Sequence, residues 1–172
     1  MAEATHLVKR FVGSLWPLGP SSENDSWARS HLLEREEALW ERMSSQDRRH
    51  SIGVARRVEE VLGNDATRPV MAAALLHDVG KIEARLGTFL RVVATLSAAI
   101  AGRETAELWV RSTGVTRRVG LYLKHPSIGG DLLAMADSDP FTETWAREHH
   151  HPADVCTLDT HLANALRDAD DD

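Results

Sequence analysis

The chain has 172 residues, 42% of them hydrophobic and 27% charged, which excludes whole-chain disorder, collagen-like repeats and small disulfide scaffolds. Its 20 lysines and arginines stand against 26 acidic residues, a formal net charge of −6, so a phosphate-backbone binder with a basic face is not expected and nucleic acid is not an expected partner. The single cysteine, Cys156, rules out an intramolecular disulfide and suits a reducing compartment.

No apolar stretch reaches bilayer length, and the first 20 residues lack a signal core ending in a small-residue cleavage site. The expectation is a soluble, cytoplasmic protein with no membrane partner.

In chain order, residues 17–26 are rich in Pro, Gly, Ser, Asn and Asp and read as a linker, so that 1–26 form an N-terminal segment and 27–172 a helical domain. From Trp27 onward apolar residues recur at three and four positions, and β-branched residues are not concentrated between turn signals. The fold expected is all-α, a single compact helical bundle. One helix is placed over 30–43. Ser44-Ser45-Gln46-Asp47 caps the next, which ends at Gly63, and a third starts near Thr67, takes Pro69 in its first turn and ends at Gly80. Further helices are placed over 88–101, 103–111, 116–124, 126–136, 140–150 and 159–169.

The third helix carries the main anomaly. Met71-Ala72-Ala73-Ala74-Leu75-Leu76 is apolar all round, the mark of a buried helix, yet it runs directly into His77-Asp78. A buried carboxylate at the negative end of a helix needs a cationic partner, which a metal ion or Lys81 would supply. His50 shares a helix side with Val54, Val58 and Val61 and so points inward. His149-His150 close a helix before Pro152. His125 precedes Pro126, which disfavours α geometry at the histidine and places it at a corner. Asp170 ends the last helix. Each alone has a plain structural reading: core histidine, helix cap or solvated acidic tail. Together, imidazoles and carboxylates suit Mn, Fe, Co, Ni or Zn, and one cysteine excludes a thiolate site.

From about Trp40 to the C-terminus these residues resemble the HD superfamily of metal-dependent phosphohydrolases. The order matches: His50 in Arg-Arg-His-Ser-Ile-Gly-Val-Ala, then His77-Asp78-Val79-Gly80-Lys81, then an aspartate at the end of the final helix. His125-Pro126-Ser127-Ile128-Gly129-Gly130-Asp131 followed by His149-His150 is similar to the HD-GYP branch, where such histidines complete a two-metal centre. No Gly-Tyr-Pro occurs, so the resemblance does not extend to cyclic di-GMP as substrate.

The resemblance implies an HD-domain-like bundle in which His50, His77, Asp78 and the terminal aspartate hold one ion, Asp78 bridges, and His125, His149 and His150 hold the other. Asp170 is preferred as the terminal aspartate, with Asp159 the alternative. The implied cofactors are two divalent transition-metal ions, Mg being a further option. The implied activity is hydrolysis of a phosphate ester or anhydride of a small, nucleotide-like substrate by metal-activated water. Asp78 and Lys81 are the catalytic candidates, and Lys81, with Arg117 or Arg118, would hold the phosphate. Two rivals remain: a di-iron oxygenase on a similar site, and a non-catalytic nucleotide-binding or regulatory domain.

Overall fold

Ser44 accepts a hydrogen bond at its side chain from the Asp47 backbone N–H, 3.1 Å away, and from this cap the longest helix among the described residues runs Ser45–Leu62 to a stop at Gly63, where φ is +52°. Pro69 sits in the first turn of the next helix, Arg68–Leu76, whose residues from Val70 to Leu76 are all buried, as an all-apolar helix requires. The computed structural model describes residues 19–87, 90 and 103–171. In chain order the helices are α1 (Ser22–Arg29), α2 (Glu34–Arg42), α3 (Ser45–Leu62), α4 (Arg68–Leu76), the one-turn α5 (Lys81–Ala84), α6 (Arg103–Val110), α7 (Gly114–Leu123), α8 (His125–Met135), α9 (Pro140–Glu148) and α10 (Thr160–Asp171). Among the described residues there is no strand, and the fold is all-α.

The main core forms around α4. Helices α3 and α9 pack against it, α10 lies on α3, and α8 pairs with α9. Trp40, Val54, Val58, Met71, Leu75, Leu76, Leu133, Trp145 and Leu166 fill the centre. A smaller cluster of Ala84, Leu86, Val119 and Leu121 joins α5 and its following loop to α7, which pairs with α6. No helix among the described residues is long and apolar enough to cross a membrane.

Four local expectations are corrected. Residues 22–26, read as linker, belong to α1, because Ser21 caps that helix from the stretch that looked merely turn-rich. The helix placed over 30–43 starts only at Glu34, whose turn is closed by Glu36 accepting from the Leu33 N–H at 2.8 Å. Val61 is 68% exposed, and the inward side of α3 continues from Val58 to the buried Leu62 instead. His125 is itself helical, the first residue of α8, with Lys124 taking the non-helical conformation. The helix placed over 88–101 lies outside the described residues apart from Leu90.

Candidate metal centre

Helix α4 stops at Leu76, four residues earlier than its pattern suggests, and His77 to Gly80 form a tight turn closed by hydrogen bonds from the Val79 N–H to Leu76 and from the Lys81 N–H to Asp78, both 3.0 Å. This turn is buried: His77 is 2% and Asp78 3% exposed. Four other segments deliver side chains to it, namely α3 with His50, the start of α8 with His125, the end of α9 with His149 and His150, and the end of α10 with Asp170.

The carboxylate of Asp78 is the hub. Its Oδ1 lies 3.2 Å from His125 Nε2 and 3.9 Å from His149 Nε2, and its Oδ2 lies 3.5 Å from His77 Nε2. Asp170 Oδ1 is 2.8 Å from His50 Nε2 and 3.7 Å from His77 Nε2. The rings of His149 and His150 are 4.0 Å apart between centroids, and His125 is 5.3 Å from His150. Two sets of donor atoms result, His50 with His77 and Asp78, and His125 with His149 and His150, the atoms of each set lying within 4.8 Å of one another.

Three imidazoles are oriented in the same way. Nδ1 of His77, His125 and His149 donates to the carbonyl three residues earlier, on Ala74 at 2.9 Å, Tyr122 at 2.6 Å and Ala146 at 2.9 Å. Each such bond engages Nδ1 and turns Nε2 inward as the atom that could ligate a metal, the second-shell arrangement common to metal-binding histidines. All three Nε2 atoms are buried and have no hydrogen-bond partner. Buried polar atoms are rarely left unpaired. Three of them aimed at one carboxylate fit an intermediate-softness divalent cation bound by nitrogen and oxygen.

The electrostatics follow the same division. Burial disfavours charge on His77, but Asp78 and Asp170 outweigh it and raise the imidazole to about 9, so a cation there competes with a proton. Burial lowers His149 well below the usual histidine range, helped by the neighbouring His150, and lowers His150 to about 4, with His125 adding to the effect. Burial would raise Asp78, but Lys81 and His77 hold it well below the ordinary carboxylate range. Asp170 is likewise lowered: burial opposes the charge, and His77 and a hydrogen bond from His50 prevail.

Lys81 bonds Asp78 Oδ2 through its ammonium, so the protein supplies one cationic partner itself. That ammonium also lies 5.7 Å from the centre of the Tyr122 ring. Burial lowers the lysine, while Asp78, Tyr122 and Asp47 together raise it. Tyr122 and Asp47 were not singled out from the sequence as site residues. Asp47 carried only the signal of a helix cap, and Tyr122 none beyond its place three residues before His125.

Asp159 does not reach the centre. It is exposed and caps α10, accepting from the His161 and Leu162 backbone N–H groups at 3.0 and 3.1 Å. Arg117 is exposed, and Arg118 donates to the Ala84 carbonyl at 3.0 Å, which ties α7 to α5. Trp40 and Trp145 are core residues and Trp109 is half-buried. No family model, curated protein or solved structure significantly matches the chain.

Proposed function

We propose that this chain is a metal-dependent phosphohydrolase of the HD-superfamily type, cleaving a phosphate ester or anhydride of a small nucleotide-like substrate at a centre of two divalent transition-metal ions. The observation that carries the reading is the convergence of three buried, unpartnered imidazole Nε2 atoms on Asp78. Leaving such groups unpaired costs about 1–3 kcal/mol each, and bound cations would remove that cost. His50, His77, Asp78 and Asp170 would hold one ion. His125, His149 and His150, with the other oxygen of Asp78, would hold the second.

When bound, divalent ions in such a centre acidify coordinated water and neutralise phosphoryl oxygens. The chain's own residues do the rest. The three Nδ1 bonds keep the imidazoles aimed at Asp78. The apolar α4 behind Asp78 keeps bulk water from that side, which strengthens every charge interaction in the centre. Lys81 brings a positive charge to the rim, where it can take a phosphate oxygen. His150, the exposed member of the set, marks the side from which a substrate would enter.

Elemental analysis of untagged protein, followed by a phosphate-ester and phosphoanhydride panel with Mn added, tests the proposal. Bound transition metal with turnover is expected, and Asp78→Ala is expected to lose both while keeping its helical circular dichroism. An Asp78→Ala protein that keeps metal and turnover would refute it. Iron content with oxygen consumption, and no phosphate release, would replace hydrolysis by oxygenation on the same ligands.

A further inference from the structure

We propose that the two halves of the centre fill in a fixed order, the imidazole half tightly and first, and that Lys81 is a resident cation which the second ion must displace. The inference rests on the two-metal reading above and concerns what the two halves already contain.

On the Oδ1 side of Asp78 only imidazoles face the oxygen. His125 Nε2 and His149 Nε2 face that oxygen at 3.2 and 3.9 Å, and both are buried without a partner. Their Nδ1 atoms are anchored on Tyr122 and Ala146, so the donors are already oriented, and His150 stands beside them at the exposed edge. Little ordering is left for an arriving ion to impose.

The Oδ2 side is occupied by the protein's own contacts. The Lys81 ammonium bonds Oδ2, and His50 Nε2 is engaged with Asp170 Oδ1 at 2.8 Å. An ion reaching His50, His77, Asp78 and Asp170 must break both contacts. It must also move a lysine whose side chain is 15% exposed off a carboxylate that is 4% exposed. Two cations cannot share one buried oxygen without strong repulsion. The Tyr122 ring, 5.7 Å from that ammonium, offers the displaced lysine a place at the rim. An anion such as a phosphate group that captures it there would strengthen the second ion by the factor by which that ion strengthens the anion.

The test is titration of metal-free protein with Co(II), followed by equilibrium dialysis and by the visible spectrum, which reports ligand type and geometry. Two affinities separated by roughly tenfold or more are expected. His150→Ala should weaken the first ion, whereas His50→Ala should leave the first and remove the second. Lys81→Met and Lys81→Gln should each leave the first unchanged and tighten the second by roughly tenfold. Phenylphosphonate should tighten the second ion in the native chain and not in Lys81→Met. Equal affinities, loss of the first ion in His50→Ala but not in His150→Ala, or a weaker second ion in both lysine variants would overturn the inference and leave the metal reading standing. No Co(II) uptake by the native chain would sink both. Circular dichroism of each variant identifies any that fails to fold, and the histidine pair decides the order without the lysine variants.

Discussion

Gly80 holds the centre by close approach. A Cβ at this position would lie 2.0 Å from the His125 carbonyl oxygen and 2.7 Å from the Gly129 nitrogen, and backbone atoms cannot rotate away. Only a glycine lets the turn after α4 rest on the first turn of α8, the contact that brings Asp78 Oδ1 to 3.2 Å from His125 Nε2. Gly80→Ala should therefore cost about 1–3 kcal/mol in urea unfolding. It should also weaken the first Co(II) ion at least as much as His125→Ala does, because it moves the whole ligand and not only its ring. A Gly80→Ala protein with native stability and native metal affinity would show that the contact is dispensable. The sequence exposes His77 and Asp78 because an apolar helix running into a charged pair demands a cation. It does not expose Gly80 or Tyr122, whose roles are separations between segments distant in the chain, and no local pattern encodes those.

At the scale of elements, one carboxylate ties α1 to both of the helices that follow it. Asp25 accepts from Arg29 Nε at 2.8 Å, Trp40 Nε1 at 3.0 Å and Arg48 Nη1 at 3.0 Å, tying α1 to α2 and α3. Burial works against its charge, but the Arg29 and Trp40 bonds and the charges of Arg29 and Arg48 prevail and lower its pKa below the ordinary 3.8. A carboxyl lowered on folding contributes stability that is present above its unfolded pKa and is lost as pH falls through its folded value. Asp25→Asn should thus cost about 1–2 kcal/mol at pH 7, and the gap from the native chain should narrow by pH 3. Urea titrations at the two pH values measure it, and a gap that does not narrow would mean that shape, not charge, holds α1. The same helix shows where element reading stops. The Ser-Ser-Glu-Asn-Asp-Ser run supplies both loop composition and a good N-cap, and only docking on Trp40 and Arg48 decides between them. By contrast, α3 and α4 were legible at once, from the Ser44 cap, the Pro69 start and the apolar periodicity. The apolar pattern carries the end of α4 four residues too far, because His77 to Gly80 are as buried as the helix before them.

The whole molecule is closed on itself by the centre. His50 and Asp170 meet although 120 positions apart, and between them the turn after α4 and the facing ends of α8 and α9 converge on the same few atoms. Cations bound there would join five segments that the apolar core already packs, so metal should raise stability without creating the fold. Arg57 makes that distinction testable. Its guanidinium donates to the Ala169 carbonyl from Nε at 2.9 Å and from Nη2 at 2.6 Å, which fixes the end of α10 on α3 and keeps Asp170 in place with no metal needed. Metal-free protein is therefore expected to show full helical circular dichroism and a cooperative melt, unlike small domains whose folding free energy is metal binding. Free metal at 100 times its dissociation constant should add about 2.7 kcal/mol per site, which for a chain of this size is about 5–10 °C in Tm. A chelator should reverse the gain and Asp78→Ala should abolish it. In Arg57→Met, metal should still stabilise, but the second ion should bind more weakly, because Asp170 loses its anchor while the imidazole half keeps all of its own. If the chelated native chain melts without cooperativity, or if metal leaves Tm unchanged, the centre is not the preorganised joint between these five segments that its geometry describes.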